Sequence, residues 1–264
     1  MEGIDLGALI KVYRDSRRDV PWPLAVSIGI ATLHGLAAAH DRVGPDGTPS
    51  PVIHRDVSPH NILLGVNGVV KLSDFGLARA RDRAGSLTAP GTVKGKLSYL
   101  APEVTFGKPN TVQSDLFGVG SVIWETLMGE RLFDGRTDIE IFKKIRACQI
   151  PPIAARRPDV PAALTTVLDI SLAADPANRF ATAEEFAQAL AQVMKQTVGP
   201  TPPSALGVAV VAARQMMAPA EDNTDEQPTT EHAAHGQSIE INLDESAPRT
   251  VPGIRPLDTP GKKP

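Results

Sequence analysis

The sequence predicts an α+β fold that is mostly helical, with short β-hairpins at one edge and a disordered tail behind it. Three observations carry that expectation. Helical patterns follow one another between Pro109 and Gln196. A cluster of short β-rich runs lies between residues 52 and 72, with Val66-Asn67-Gly68 as a hairpin-turn signal. Ten of the 24 prolines fall after Gln196, where few apolar residues remain to offset the entropy of ordering.

In chain order, residues 24–41 carry apolar side chains at 24, 25, 28, 31, 33 and 36. That is a helical period, and Pro21 and Pro23 suit its first turn. Residues 44–51, rich in Gly and Pro, read as a turn-rich insertion. Residues 52–53, 62–64 and 69–72 read as short strands. Further helices are expected at about 112–128, 139–147, 161–174 and 182–195. Asp175-Pro176 separates the last two, and Thr182-x-x-Glu185 is a capping-box signature. Residues 1–196 therefore form one domain. Residues 197–264 are expected to be a Pro-rich acidic tail, with 9 acidic and 5 basic residues. Its one apolar stretch, residues 205–217, is interrupted by Arg214 and too short to span a bilayer. It suits a docked helix or a binding motif.

Composition narrows the function classes. With 27 basic against 30 acidic residues, no global field points to nucleic acid or an anionic membrane. No membrane segment is expected. Glu2 and Asp5 in the first ten residues are unlike a signal peptide. The single cysteine, Cys148, excludes an internal disulfide framework and a cysteine-rich metal cage. A reducing cytoplasm fits best.

The β-rich edge carries the chemistry. His54-Arg55-Asp56 is followed five residues after the aspartate by Asn61, and Asp74-Phe75-Gly76 comes on the next hairpin. A hairpin between Asn61 and Asp74 brings a carboxamide and a carboxylate to one end of the sheet. Both are hard oxygen donors suited to Mg²⁺, which takes few protein ligands and leaves room for phosphate oxygens. Asp56, on the loop beside them, is placed to accept a hydroxyl proton. The residues read as a site for moving a phosphoryl group onto an alcohol.

With these motifs the sequence resembles the Hanks-type serine/threonine protein kinases, particularly those of bacteria, over residues 1–196. His54 to Asn61 resembles the catalytic loop, Asp74-Phe75-Gly76 the metal-binding motif, and Ala101-Pro102-Glu103 the end of the activation segment. Asp175-Pro176-Ala177-Asn178-Arg179-Phe180 resembles the closing element of the domain. The resemblance implies a kinase large lobe, ATP and Mg²⁺ as cofactors, and a protein Ser/Thr hydroxyl as acceptor. It implies that Asp56 orients and deprotonates the hydroxyl and that Asn61 and Asp74 hold the metal. Glu103 would pair with Arg179, and Asp115 would bond the catalytic-loop backbone; these three are architectural. Asp5 matches an acidic residue facing the ATP ribose, or else it is a helix cap.

The family also places a Gly-rich loop, a strand lysine and a helix glutamate over the phosphates. No residue of this sequence supplies them: Gly118-x-Gly120 lies far downstream in a helix, and Lys71 lies on a hairpin strand. Two readings follow. Either the working kinase begins upstream of Met1, or the chain is a non-catalytic kinase-like module that binds partners. Taken alone, it is expected to transfer phosphate negligibly.

Two finer expectations follow from the resemblance. Arg55 and Arg79 form a pocket for phosphate on Thr88 or Thr92, or else Arg79 is a solvated charge. Ser58 stands where the family usually has lysine, and Lys96 where it usually has threonine. Either Lys96 replaces the missing ammonium from across the contact, or the site has decayed.

Overall fold

The computed structural model describes residues 2–75 and 97–217. Three short strands, β1 (Gly3–Asp5), β2 (Ile62–Gly65) and β3 (Val70–Leu72), form an antiparallel sheet in the order β1-β2-β3. Ile4 lies opposite Leu64, and Leu63 opposite Lys71. The turn between β2 and β3 closes with Gly65 N–H donating to the Val69 carbonyl at 2.8 Å. Gly68 takes φ +77° there, a left-handed angle that only glycine adopts without strain. Residues 52–53 are irregular rather than a strand. Val52 donates its N–H to the Ala39 carbonyl at the end of the preceding helix, so it is committed away from any ladder.

The helices are α1 (Leu6–Asp15), α2 (Trp22–His40), α3 (Pro102–Thr105) and α4 (Val112–Met128). They continue with α5 (Asp138–Ala147), α6 (Ala162–Ser171), α7 (Ala183–Thr197) and α8 (Pro203–Met217). Helix α4 is the centre of the fold: every residue from Ser114 to Met128 is buried. A helix apolar on nearly all sides is stable only when neighbours cover it all round. Thr111 and Ser114 cap its start reciprocally, and Gly129 ends it at φ +71°.

Helix α2 is long and apolar enough, by length and composition, to cross a membrane. Here it is a core helix, packed along α4 and α7 and under β3. Gly29 permits the α2–α4 approach: a Cβ there would lie 2.6 Å from Ile123 Cδ1. Helix α7 starts at Thr182, whose side chain accepts from Glu185 N–H at 3.1 Å. Its Phe186 and Leu190 are fully buried.

Buried Arg157 ties three segments together. Its guanidinium donates to the carbonyls of Leu127 and Val20 and to both oxygens of Asp159.

Beyond residue 196 lies the docked helix that the apolar stretch 205–217 suits. Residues 203–217 form α8, and the unit they belong to runs from Met1 to Ala220. Leu206, Val210 and Ala213 fall on one helical face and bury themselves against the sheet edge. The apolar stretch 205–217 is the trace of that stripe in the sequence.

Candidate active site

The loop from His54 to Asn61 is organised by two histidines and one aspartate. His54 is fully buried, and its Nε2 lies 2.8 Å from the Ser73 carbonyl oxygen. A carbonyl only accepts, so Nε2 carries the proton and Nδ1 is left as an acceptor. Asp56 N–H donates to that Nδ1 at 3.2 Å. One neutral imidazole thus joins the backbone before Asp74 to the backbone of Asp56. Its ring also meets Phe75 edge-on, with centroids 4.6 Å apart.

Asp115, near the start of α4, accepts from the N–H groups of His54 and Arg55, each at 2.8 Å. His40 Nε2 donates to the same carboxylate at 2.9 Å. His40 Nδ1 is buried without a partner, so the neutral Nε2–H form suits this site. The carboxylate holds Arg55 in a left-handed conformation, φ +72°. Asp74 is also left-handed, at φ +63°. Such angles cost a non-glycine residue about 1–2 kcal/mol, and they persist where the surroundings over-determine them.

Asn61 lies in the short turn Pro59–Asn61 that leads into β2. Its Nδ2 donates to the Asp56 carbonyl at 2.7 Å, and its own carbonyl accepts from Ser73 N–H at 2.8 Å. The amide nitrogen is committed, so the amide oxygen is the atom left as a ligand. Asp74, one residue beyond Ser73, is exposed. An amide oxygen and a carboxylate fit a hard cation that also takes phosphate oxygens. Among the described residues no group of three or more His, Cys, Asp or Glu is placed to hold a metal ion.

Asp5 caps α1, accepting from Ala8 N–H at 3.0 Å, and the same oxygen lies 3.2 Å from His60 Nδ1. The His60 ring lies over Gly7, where a Cβ would come within 2.8 Å of its Cε1. The sequence reading missed this contact between α1 and the loop 54–61; the glycine two residues after the capping aspartate is its trace.

Glu103 of α3 and Arg179 form a bidentate pair, 2.8 Å at each bond, with both side chains buried. The other guanidinium bonds go to the carbonyls of Ala173, Gln113 and Ala174, and the group stacks over Phe117. All five N–H donors are occupied. Tyr99 donates to Glu125 of α4 at 2.7 Å. Burial pushes both groups up in pKa, and Arg131 opposes the shift in each. The sequence reading gave this pair no role.

Ser58 is buried within the loop. Its counterpart Lys96, together with Arg79, Thr88 and Thr92, lies outside the described residues. The structure therefore brings Asp5, Arg55, Asp56, Ser58, Asn61 and Asp74 to one edge, with Asp115 beneath them and Glu103–Arg179 deeper in the helices.

A protein kinase domain model matches residues 1–192, and the chain belongs to that family. Among its relatives is the tyrosine-protein kinase MasK of Myxococcus xanthus, 35% identical over 72% of this chain and 29% of that protein. Another is the probable serine/threonine-protein kinase PknB of Lactococcus lactis, 36% identical over 70% of this chain and 28% of that protein. The serine/threonine-protein kinase PknB of Mycobacterium tuberculosis is 38% identical over 54% of this chain and 23% of that protein. The chain thus spans less than a third of each of these relatives.

Proposed function

We propose that this chain is the large lobe of a serine/threonine protein kinase that moves the γ-phosphoryl group of ATP onto a protein hydroxyl. The observation that supports this reading best is the Asn61 amide, which bonds Asp56 on one side while its backbone bonds Ser73, next to Asp74, on the other. One residue registers the base against the metal edge. Asp56 takes the hydroxyl proton as the acceptor oxygen bonds to the γ-phosphorus. The bond to the β–γ bridging oxygen breaks, and ADP leaves. Asn61 and Asp74 would hold Mg²⁺, which supplies charge neutralisation across the phosphates. Asp5 faces the ribose while it caps α1.

Lys96 takes the place of the family's catalytic-loop lysine, with the Ser58 hydroxyl standing for threonine. Charge beside the γ-phosphate counts wherever its chain of origin lies. Arg55 and Arg79 receive a phosphate on Thr88 or Thr92, which orders the activation segment.

The test fuses the chain to a kinase small lobe and follows phosphate transfer to serine, threonine and tyrosine peptides. The 264-residue chain alone is expected to transfer negligibly. In the fusion, Asp56→Asn and Asp74→Asn should abolish transfer, and Lys96→Ala should lower kcat far more than it raises KM. Transfer to tyrosine alone would overturn the acceptor assignment. A fusion that binds neither ATP nor Mg²⁺ would leave the chain as a binding module.

A further inference from the structure

Helix α8 lies beyond the matched kinase domain, which ends at residue 192. It nevertheless packs against α1, β1 and β2, on the side that carries Asp5. Leu206, Val210 and Ala213 are buried at spacings of four and three, one stripe of a helix. The contact is made backbone to backbone. A Cβ on Gly68 would lie 2.0 Å from the Pro203 carbonyl oxygen, and one on Gly207 would lie 2.5 Å from the Val66 carbonyl oxygen. Each partner therefore contributes a glycine where any side chain would hold the two apart. Arg214 pairs with Glu2 at the far end, and the Glu2 carbonyl accepts from Val66 N–H at 3.1 Å. The helix thus grips the β2–β3 turn and the start of β1 together. Strand β1 ends at Asp5, which meets His60 next to Asn61.

We infer that residues 66–68, strand β1 and helix α1 form a helix-binding site whose ligand is the chain's own small-residue amphipathic segment Pro203–Met217, and that its docking holds the Asp5–His60 contact in place. A short connection after α7 tethers this ligand, at an effective concentration of order millimolar. The cis helix therefore outcompetes any free copy at micromolar concentration.

The test uses the full chain carrying Leu206→Asp and Val210→Asp, which undocks α8, and a fluorescent peptide of residues 201–217. The peptide should bind this variant at least about tenfold more tightly than the unaltered chain, whose site is filled in cis. A peptide with Gly207→Leu should bind neither. Undocking should remove amide-exchange protection from β1 and Val66 and shift the His60 imidazole resonances, and the added peptide should restore both. Amides of α4 should stay protected throughout. Absent binding, equal binding to both chains, or unmoved His60 resonances would each overturn the inference. If the double variant loses its fold, Gly207→Leu in the full chain repeats the test with both helix faces kept apolar. Loss of α4 protection there shows α8 to be core rather than ligand, which also overturns it. No arm depends on phosphate transfer, so failure here is separable from failure of the kinase reading.

Discussion

Two arginines show how differently the floor and the edge of this molecule are held. Arg179, in the helical floor, has every N–H donor occupied by a carboxylate or a carbonyl. Arg55, at the edge, has a left-handed backbone pinned by Asp115 from below. The floor is satisfied to excess, and the edge is strained. The difference teaches that strain at the loop survives because the floor beneath it cannot shift.

The largest effect should come from breaking the floor. Arg179→Met leaves the Glu103 carboxylate buried and unpaired, at a cost of about 3–5 kcal/mol. Urea denaturation should show it as a lowered midpoint with an unchanged slope. The double variant Glu103→Leu/Arg179→Met should recover a large part of the loss, since no charge is then stranded. Equal destabilisation of the single and double variants would mean that the pair is not what the floor rests on.

Asp115 is where floor and edge meet. Asp115→Ala strands the N–H groups of His54 and Arg55 and the His40 Nε2. Leaving buried donors unsatisfied costs about 1–3 kcal/mol. With its restraint gone, Arg55 should relax out of the left-handed region. Amide exchange should quicken at residues 54–56 while α7 stays protected. Uniform loss of protection would erase the distinction between the two regions.

At the edge itself the effects are smaller. Asp5→Ala removes the α1 cap and the His60 contact, at about 1 kcal/mol. Asp5→Asn keeps an oxygen for Ala8 N–H and should recover most of that stability. If Asp5 also faces ribose, the two variants should lose nucleotide affinity in the small-lobe fusion to different degrees.

Much of this was legible in the sequence, for physical reasons. Helix α4 shows in its apolar run and its Gly129 stop, and α7 in the Thr182 cap. The hairpin shows in Val66-Asn67-Gly68, and the edge in the spacing of Asp56, Asn61 and Asp74. Strand β1 and helix α1 were missed because three residues of strand carry no period, and Asp5 read equally well as ligand or cap. Helix α8 shows as the apolar stretch 205–217, but its docking place does not, because that rests on glycines at 68 and 207 whose partners lie far apart in sequence. The Tyr99–Glu125 pair was invisible for the same reason: 26 residues separate two groups that meet only after α4 is buried.

That pair supplies the smallest and most diagnostic effect. Burial raises the Glu125 pKa above its ordinary value near 4.5, against the opposing pull of Tyr99, Arg131, His60 and Arg14. A carboxyl whose folded-state pKa is raised binds its proton more tightly in the native state. Its contribution to stability is complete below the unfolded value, about pH 4.5, and is lost as pH rises through the folded value. Relative to the unfolded chain, folding disfavours the ionised carboxylate. The Tyr99 phenol is raised as well, so it stays protonated and remains a donor. Glu125→Gln keeps an oxygen to accept from Tyr99 and removes the buried charge. It should raise stability at pH 7 by no more than about 1 kcal/mol and flatten the pH dependence above pH 4.5. Thermal melts from pH 4 to 8 would show the two curves converging at the acid end. A variant less stable at pH 7 than at pH 4, relative to the unaltered chain, would show that Arg131 outweighs burial and that this part of the floor is held by charge after all.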